Sequence, residues 1–205
     1  MKFYLPFPFV LSLFLFFICV HLEAQSWDFI KEKDGIKIYT RKEANSDLKS
    51  FKGEAMIHAK FEDLLNLIGN VKNQDWWDKS VTELRILLFE EGKHVQYYIV
   101  YDSPWPVSDR DLVVDAVITT DPVTKVRTVK AKPLPDVIPE KVDKVRIKNY
   151  WQNWTVTPVK PGLVHVVLEG FVDPGGSIPD WLYNMVITET PIKVIRNVKE
   201  KAHAQ

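Results

Sequence analysis

Few residue combinations in this chain could carry covalent chemistry. Its five histidines, His21, His58, His94, His165 and His203, never stand four apart or in an HExxH frame, so no local pattern holds a metal. No GxSxG elbow, phosphate loop or GxGxxG turn occurs. Three groups remain. Asp109, Arg110 and Asp111 form the densest charge cluster, at the entry to a strand. Arg110 could grip a carboxylate with two hydrogen bonds, as a structural clamp tying loop to sheet or as a contact to a ligand head. His165 and Glu169 stand four positions apart on a strand and so share a face with Val167 and Phe171. That pair could anchor a polar group at a cavity end, serve as acid and base on an apolar substrate, or form the wet side of a sheet. Arg146 alternates with Lys148, Tyr150, Gln152 and Trp154, so it meets a head group if that face is concave and solvent otherwise.

The elements that must position these residues follow from periodicity. Trp27 to Lys33 reads as a short amphipathic helix ending at Asp34-Gly35. Ile36 to Lys42 and Leu48 to His58 alternate as strands. Phe61, Leu64, Leu65 and Ile68 make a helical stripe stopped by Gly69-Asn70. Lys72 to Lys79, with Trp76 and Trp77, reads as a helical turn. Three hairpins follow. Val81–Glu90 and Lys93–Tyr101 join at Glu91-Gly92; Arg110–Thr120 and Val126–Lys132 join at Asp121-Pro122; Val145–Pro158 and Leu163–Val172 join at Lys160-Pro161-Gly162. Leu134 to Asp143 is proline-rich loop.

The last thirty residues predict a long helix. Asp173-Pro174-Gly175-Gly176 is a turn, Ser177 an N-cap with Pro179 in the first turn, and Ile178, Trp181, Leu182, Met185 and Val186 fall at helical spacing. Ile192, Ile195, Val198 and Ala202 continue the stripe beyond Pro191, which kinks the helix or starts a new one. About eight sequential antiparallel strands curl through their own twist, and only this helix is long enough to cover the concave face. The fold class is α+β: a curved antiparallel sheet of about eight strands wrapped on a long C-terminal helix. The space between them, lined by apolar side chains, is where a small ligand would bind.

Composition bounds the partners. Lysine plus arginine and aspartate plus glutamate each number 27, so no basic excess points to nucleic acid. The start of the chain, Lys2 followed by an apolar run from Tyr4 to Val20, predicts a secretory signal over residues 1–24 cleaved near Ala24. Ile18 before Cys19 argues against a lipoprotein anchor, which needs a small residue there. Cleavage removes the single cysteine, so the mature domain, residues 25–205, rests on its core without disulfides. The expected location is periplasmic or secreted.

Three stretches resemble the START family, the lipid-transfer domain named for the steroidogenic acute regulatory protein. They are Pro104-Trp105-Pro106-Val107-Ser108-Asp109-Arg110-Asp111; Val145-Arg146-Ile147 followed by Trp154 and Pro158; and Asp173-Pro174-Gly175-Gly176-Ser177-Ile178-Pro179-Asp180-Trp181-Leu182-Tyr183-Asn184. The likeness spans the whole mature chain, and its signal is similar to that of exported bacterial members. The resemblance implies a helix-grip fold, a tunnel for one lipid or other apolar molecule, a lid made by the last helix, and no catalytic residues or cofactor. The expected tunnel lining is Trp77, Tyr98, Arg146, Trp154, His165, Glu169, Trp181 and Met185, with Asp109, Arg110 and Asp111 as the clamp. The expected partners are a lipid or other apolar molecule and a transient membrane contact; the chain is expected to be a monomer. Two other readings stand beside this one: an enzyme such as a cyclase or hydrolase on the same broad fold, and an exported interaction domain whose cavity its own side chains fill.

Overall fold

A computed structural model describes residues 26–44, 46–74 and 76–203, together with the backbone but not the side chains of 180 and 181. The expected signal segment over 1–24 lies outside the described residues. Ten strands and two helices follow in the order β1 (Asp28–Lys33), β2 (Ile36–Lys42), β3 (Lys49–Ile57), α1 (Phe61–Leu67), β4 (Val81–Glu90), β5 (His94–Tyr101), β6 (Asp109–Thr120), β7 (Arg127–Pro133), β8 (Lys144–Arg146), β9 (Asn149–Lys160), β10 (Leu163–Asp173) and α2 (Asp180–His203).

The strands form one sheet in the order β1-β2-β3-β10-β9-β7-β6-β5-β4, with short β8 pairing in parallel with β6. All other pairings are antiparallel, and the three predicted hairpins are present. The β3–β10 pairing joins the N-terminal three strands to the rest, so the sheet is continuous from β1 to β4.

Three expectations need correction. Residues 28–33 are a strand, not a helix: Asp34 and Gly35 both take positive φ, the turn geometry that closes a tight hairpin with β2. The strand expected from Val145 to Pro158 is split at Ile147-Lys148 into β8 and β9, because Ile147 N–H bonds back to the Asp111 carbonyl. Strand count therefore rises from about eight to ten.

The last helix is one continuous element of 24 residues, about 36 Å long at 1.5 Å per residue. Pro191 lies inside it without ending it. The helix begins at Asp180, two residues later than the Ser177 cap requires, and the N–H groups of Leu182 and Tyr183 donate to the Pro179 carbonyl.

Packing explains why the proline is tolerated. Buried Pro191 and Ile195 rest on Gly53 of β3, where any added Cβ would lie 2.8 Å from Ile195 Cδ1 and 3.2 Å from Pro191 Cβ. Ile187, Ile192, Ile195, Val198 and Ala202 join Ile36, Ile38, Phe51 and Ala55 in the main core. Residues Lys31 and Asp34 of the β1–β2 hairpin form ion pairs with Glu189 and Arg196. On the other flank Lys193 pairs with Asp78 at 2.9 Å and Asn197 donates to the Trp76 carbonyl at 3.0 Å. The helix thus lies along β2 and β3 and touches α1, rather than spreading over the full width of the sheet.

Candidate functional site

Strand alternation decides which side chains share the concave face with α2. On β5 the residues Val95, Tyr97, Ile99 and Tyr101 belong with the main core, as do Leu112, Val114, Ala116 and Ile118 of β6 and Tyr150, Trp154 and Val156 of β9. Tyr98, Val100 and Val113 form a separate small cluster beneath Leu134 and Ile138. Because neighbouring residues of a strand point to opposite faces, that cluster lies on the outer face, roofed by the loop over 134–143.

On the concave face the half of the sheet beyond α2 is aromatic. Trp77 stands edge-on to Tyr97 with ring centres 5.7 Å apart, Trp76 edge-on to Trp77 at 6.0 Å, and Trp76 edge-on to Trp154 at 6.2 Å. Tyr97, Tyr101 and Tyr150 are surrounded by protein, yet each keeps part of its surface uncovered. Burial pushes the Tyr101 hydroxyl up to about 12 and raises those of Tyr97 and Tyr150 as well, so all three are neutral donors at any physiological pH. Tyr150 donates to Gln152 at 2.8 Å. The indole N–H groups of Trp76 and Trp77 are buried without an acceptor among the described residues. A buried donor left without an acceptor is costly.

Arg110 closes one end of that surface, opposite Tyr101 in register. It is buried and donates to the carbonyls of Ser108, Pro174 (3.3 Å) and Gly175 (3.1 Å). The clamp expectation is therefore modified. Arg110 ties the turn that launches α2 to the sheet, but through carbonyls instead of a carboxylate. Asp109 accepts from the Ser103 N–H at 3.2 Å and holds its own loop.

Asp111 turns to the outer face and meets Arg146. Nε and Nη2 of Arg146 reach the two carboxylate oxygens at 2.8 and 2.9 Å, and Tyr98 Oη adds a bond at 3.0 Å. The remaining Arg146 donors go to the carbonyls of Pro135, Ile138 and Pro139. Burial alone would raise the Asp111 carboxyl, but the Arg146 and Tyr98 hydrogen bonds outweigh it and hold it below the ordinary value. Tyr98 and Arg146, expected in the lining, thus belong to a sealed structural cluster on the opposite side of the sheet.

His165 and Glu169 also face outward. The β10 residues that join the core are Val164, Val166 and Leu168, which leaves the odd-numbered ones on the other face. His165 Nε2 lies 3.7 Å from Glu54, which accepts a 2.8 Å bond from Tyr39, and Glu169 stands opposite Lys52. They are the wet side of the sheet. Met185 is 41 % exposed on α2, turned away from the sheet. The side chain of Trp181 lies outside the described residues. Of the expected lining, Trp77 and Trp154 are brought together on the concave face.

The residues missed were Tyr97, Tyr101 and Tyr150. A signal for them existed: Tyr97 alternates with Val95, Ile99 and Tyr101, whereas Tyr98 alternates with polar His94 and Gln96. The more uniformly apolar set goes inside. A surface depression of about 480 Å³ lies elsewhere, between Phe61 at the start of α1 and the β9–β10 turn at Pro161-Gly162. It is open and lacks the aromatic lining.

Among the described residues no group of three or more His, Cys, Asp or Glu could hold a metal, and no helix is long and apolar enough to cross a membrane.

A model of the START domain matches residues 19–205. An uncharacterised protein of Pseudomonas aeruginosa is 30 % identical over 196 residues, covering 94 % of this chain and 95 % of that one. The phosphatidylcholine transfer protein of Rattus norvegicus is 29 % identical over 167 residues, 80 % and 77 % of the two chains. Among solved structures, the STAR-related lipid transfer protein of Xanthomonas axonopodis superposes with a TM-score of 0.77 at 29 % identity, covering 86 % of this chain and 98 % of that one. The aromatase/cyclase Zhui of Streptomyces matches at 0.52 with 11 % identity, over 75 % and 93 %, a likeness of fold alone.

Proposed function

The chain belongs to the START-domain family, and from that premise we propose that it binds and carries a lipid or other apolar small molecule, held against the concave face of β5, β6 and β9 beside α2. The observation that carries this reading is the aromatic surface beyond the reach of α2. Tyr97, Tyr101 and Tyr150 are embedded in protein but incompletely covered, beside two indole donors with no partner among the described residues. A surface of this kind suits a guest whose chains leave water at about 0.8 kcal/mol per CH₂ and whose oxygen atoms accept from the tyrosines and tryptophans.

The mechanism is burial instead of reaction. The His165 and Glu169 pair, on which an enzyme reading would rest, stands on the outer face away from this surface. Release of the guest requires α2, or the segment around Trp76 and Trp77, to move. The protein works as a monomer needing no cofactor and no nucleic acid. It acts outside the cytoplasm after cleavage near Ala24, in the periplasm or the medium.

Mass spectrometry of organic extracts from the purified protein, with titration by fluorescent fatty acids and sterols, tests the reading. Bound lipid and saturable uptake are expected. Absence of both across lipid classes overturns it.

A further inference from the structure

The depression between the start of α1 and the β9–β10 turn, about 480 Å³ in volume, shares no residue with the aromatic surface of the carrier reading. Its floor is the far end of the concave face. Val164 belongs to the main core, and Pro158 stands opposite it in register, so the two side chains point the same way. Phe61, packed against the core from α1, forms the adjoining wall.

The β9–β10 ladder is irregular at this place. Lys160 pairs with Leu163 but Pro158 pairs with Val164, so Val159 has no partner across the ladder. An extra strand residue of this kind is a bulge, which bends the strand and re-aims its side chains. Val159 is 49 % exposed on the depression, an apolar group left in water. Two cations flank it. Lys60, the residue before α1, and Lys160, at the end of β9, are exposed and line opposite walls. Neither has a carboxylate within 4.0 Å among the described residues. Glu62 is the one carboxylate of the lining, so two lysines less one glutamate leave a net charge of +1.

We propose that this depression is a binding site for a small organic monoanion, an aromatic or short-chain carboxylate. Its apolar body lies on Phe61, Pro158, Val159 and Val164, and its charge is met by Lys60 and Lys160. Volume and lining select the occupant. The space falls within the roughly 300–1,000 Å³ of small-molecule sites. Nine residues line it, against about 20–30 a side in a stable protein interface. A single positive charge beside an apolar floor suits one negative charge with hydrocarbon attached. A phosphate dianion without an apolar body leaves the floor uncovered and is repelled by Glu62. The site stands apart from the carrier reading, since the two use different residues.

Photolabelling of the purified protein with benzoylbenzoate, mapped by mass spectrometry of its peptides, tests the site. Label is expected on residues 60–62 and 158–164. Lys60→Gln and Lys160→Gln each cut it about twofold and the double variant about fivefold, the scale of exposed ion pairs. Val159→Ser cuts it about twofold through lost apolar contact. Sodium chloride at about 0.5 M weakens labelling of the unaltered protein and not of the double lysine variant. Benzophenone, the same body without the charge, labels about fivefold less. Both lysines are exposed, so the urea midpoint of the double variant stays unchanged. Equal labelling of that variant, equal labelling by benzophenone, or label not enriched at these two segments overturns the proposal. Saturable uptake of a fluorescent sterol is measured alongside. It is unchanged in the double variant, and its absence in the unaltered protein counts against the carrier reading and not against this site.

Discussion

Tyr97 and Tyr98 are neighbours on β5 and opposite in every physical respect. Tyr98 is fully buried on the outer face, and its hydroxyl donates to Asp111 in a cluster that also uses the Arg146 guanidinium donors. Tyr97 lies on the concave face, partly uncovered, with no hydrogen bond to its hydroxyl among the described residues, against the edge of Trp77. One face of the strand is closed by polar groups that satisfy each other. The other is left with donors and open aromatic area. A sheet can be made rigid on one side so that the other side need not be filled.

The largest way to break this contrast is at the sealed face. Arg146→Ala removes one partner of a buried ion pair and leaves Asp111 uncompensated, a cost of about 3–5 kcal/mol in urea denaturation at neutral pH. The pH dependence has a definite sign. The Asp111 carboxyl in the folded chain lies below its unfolded value, so the stability it contributes is complete above about pH 4 and is lost as pH falls through the lower folded value. The deficit of Arg146→Ala therefore narrows in acid, where Asp111 is protonated. A deficit that stays constant down to pH 2 would remove Asp111 from the explanation.

A smaller effect comes from the seat of α2. Gly53→Ala puts a methyl 2.8 Å from Ile195 Cδ1, so the helix must shift or Ile195 must change rotamer, at about 1–3 kcal/mol. Ile195→Val in the same chain relieves part of that loss, and a double-mutant cycle measures the coupling.

The smallest effect sharpens the comparison directly. Tyr98→Phe costs about 1 kcal/mol because a buried carboxylate loses a donor. Tyr97→Phe changes stability by less than about 0.5 kcal/mol, since its hydroxyl has no partner to lose. Guest affinity reverses the order: Tyr97→Phe weakens uptake of an oxygen-bearing lipid severalfold, and Tyr98→Phe leaves it unchanged. The two variants measured for both properties would refute the contrast if they behaved alike.

Hairpins and helices were readable because their determinants are local. Gly92 and Gly162 take the positive φ their turns need, and Phe61, Leu64 and Ile68 mark α1 within a single stretch. The misread first element shows the limit of the same logic: Trp27 to Lys33 has no strong period, and only pairing with β2 through the Asp34-Gly35 turn makes it a strand. The candidate site was less readable. Trp77 and Trp154 do lie on the concave face. Arg146, His165, Glu169 and Tyr98 do not: a two-residue period says which side chains share a face and not which face is concave.

The amino-acid order alone determined the three central hairpins, the long apolar stripe after Asp173 and the motifs of the family, because each depends on residues a few positions apart. Only the tertiary structure decided that α2 lies on β2 and β3, that Arg146 closes on Asp111 across 35 positions of chain, and that Tyr97, Tyr101 and Tyr150 lie on the concave face beyond α2. Those outcomes depend on which strands pair and which way the sheet curls, and both are set by packing between segments far apart in the chain.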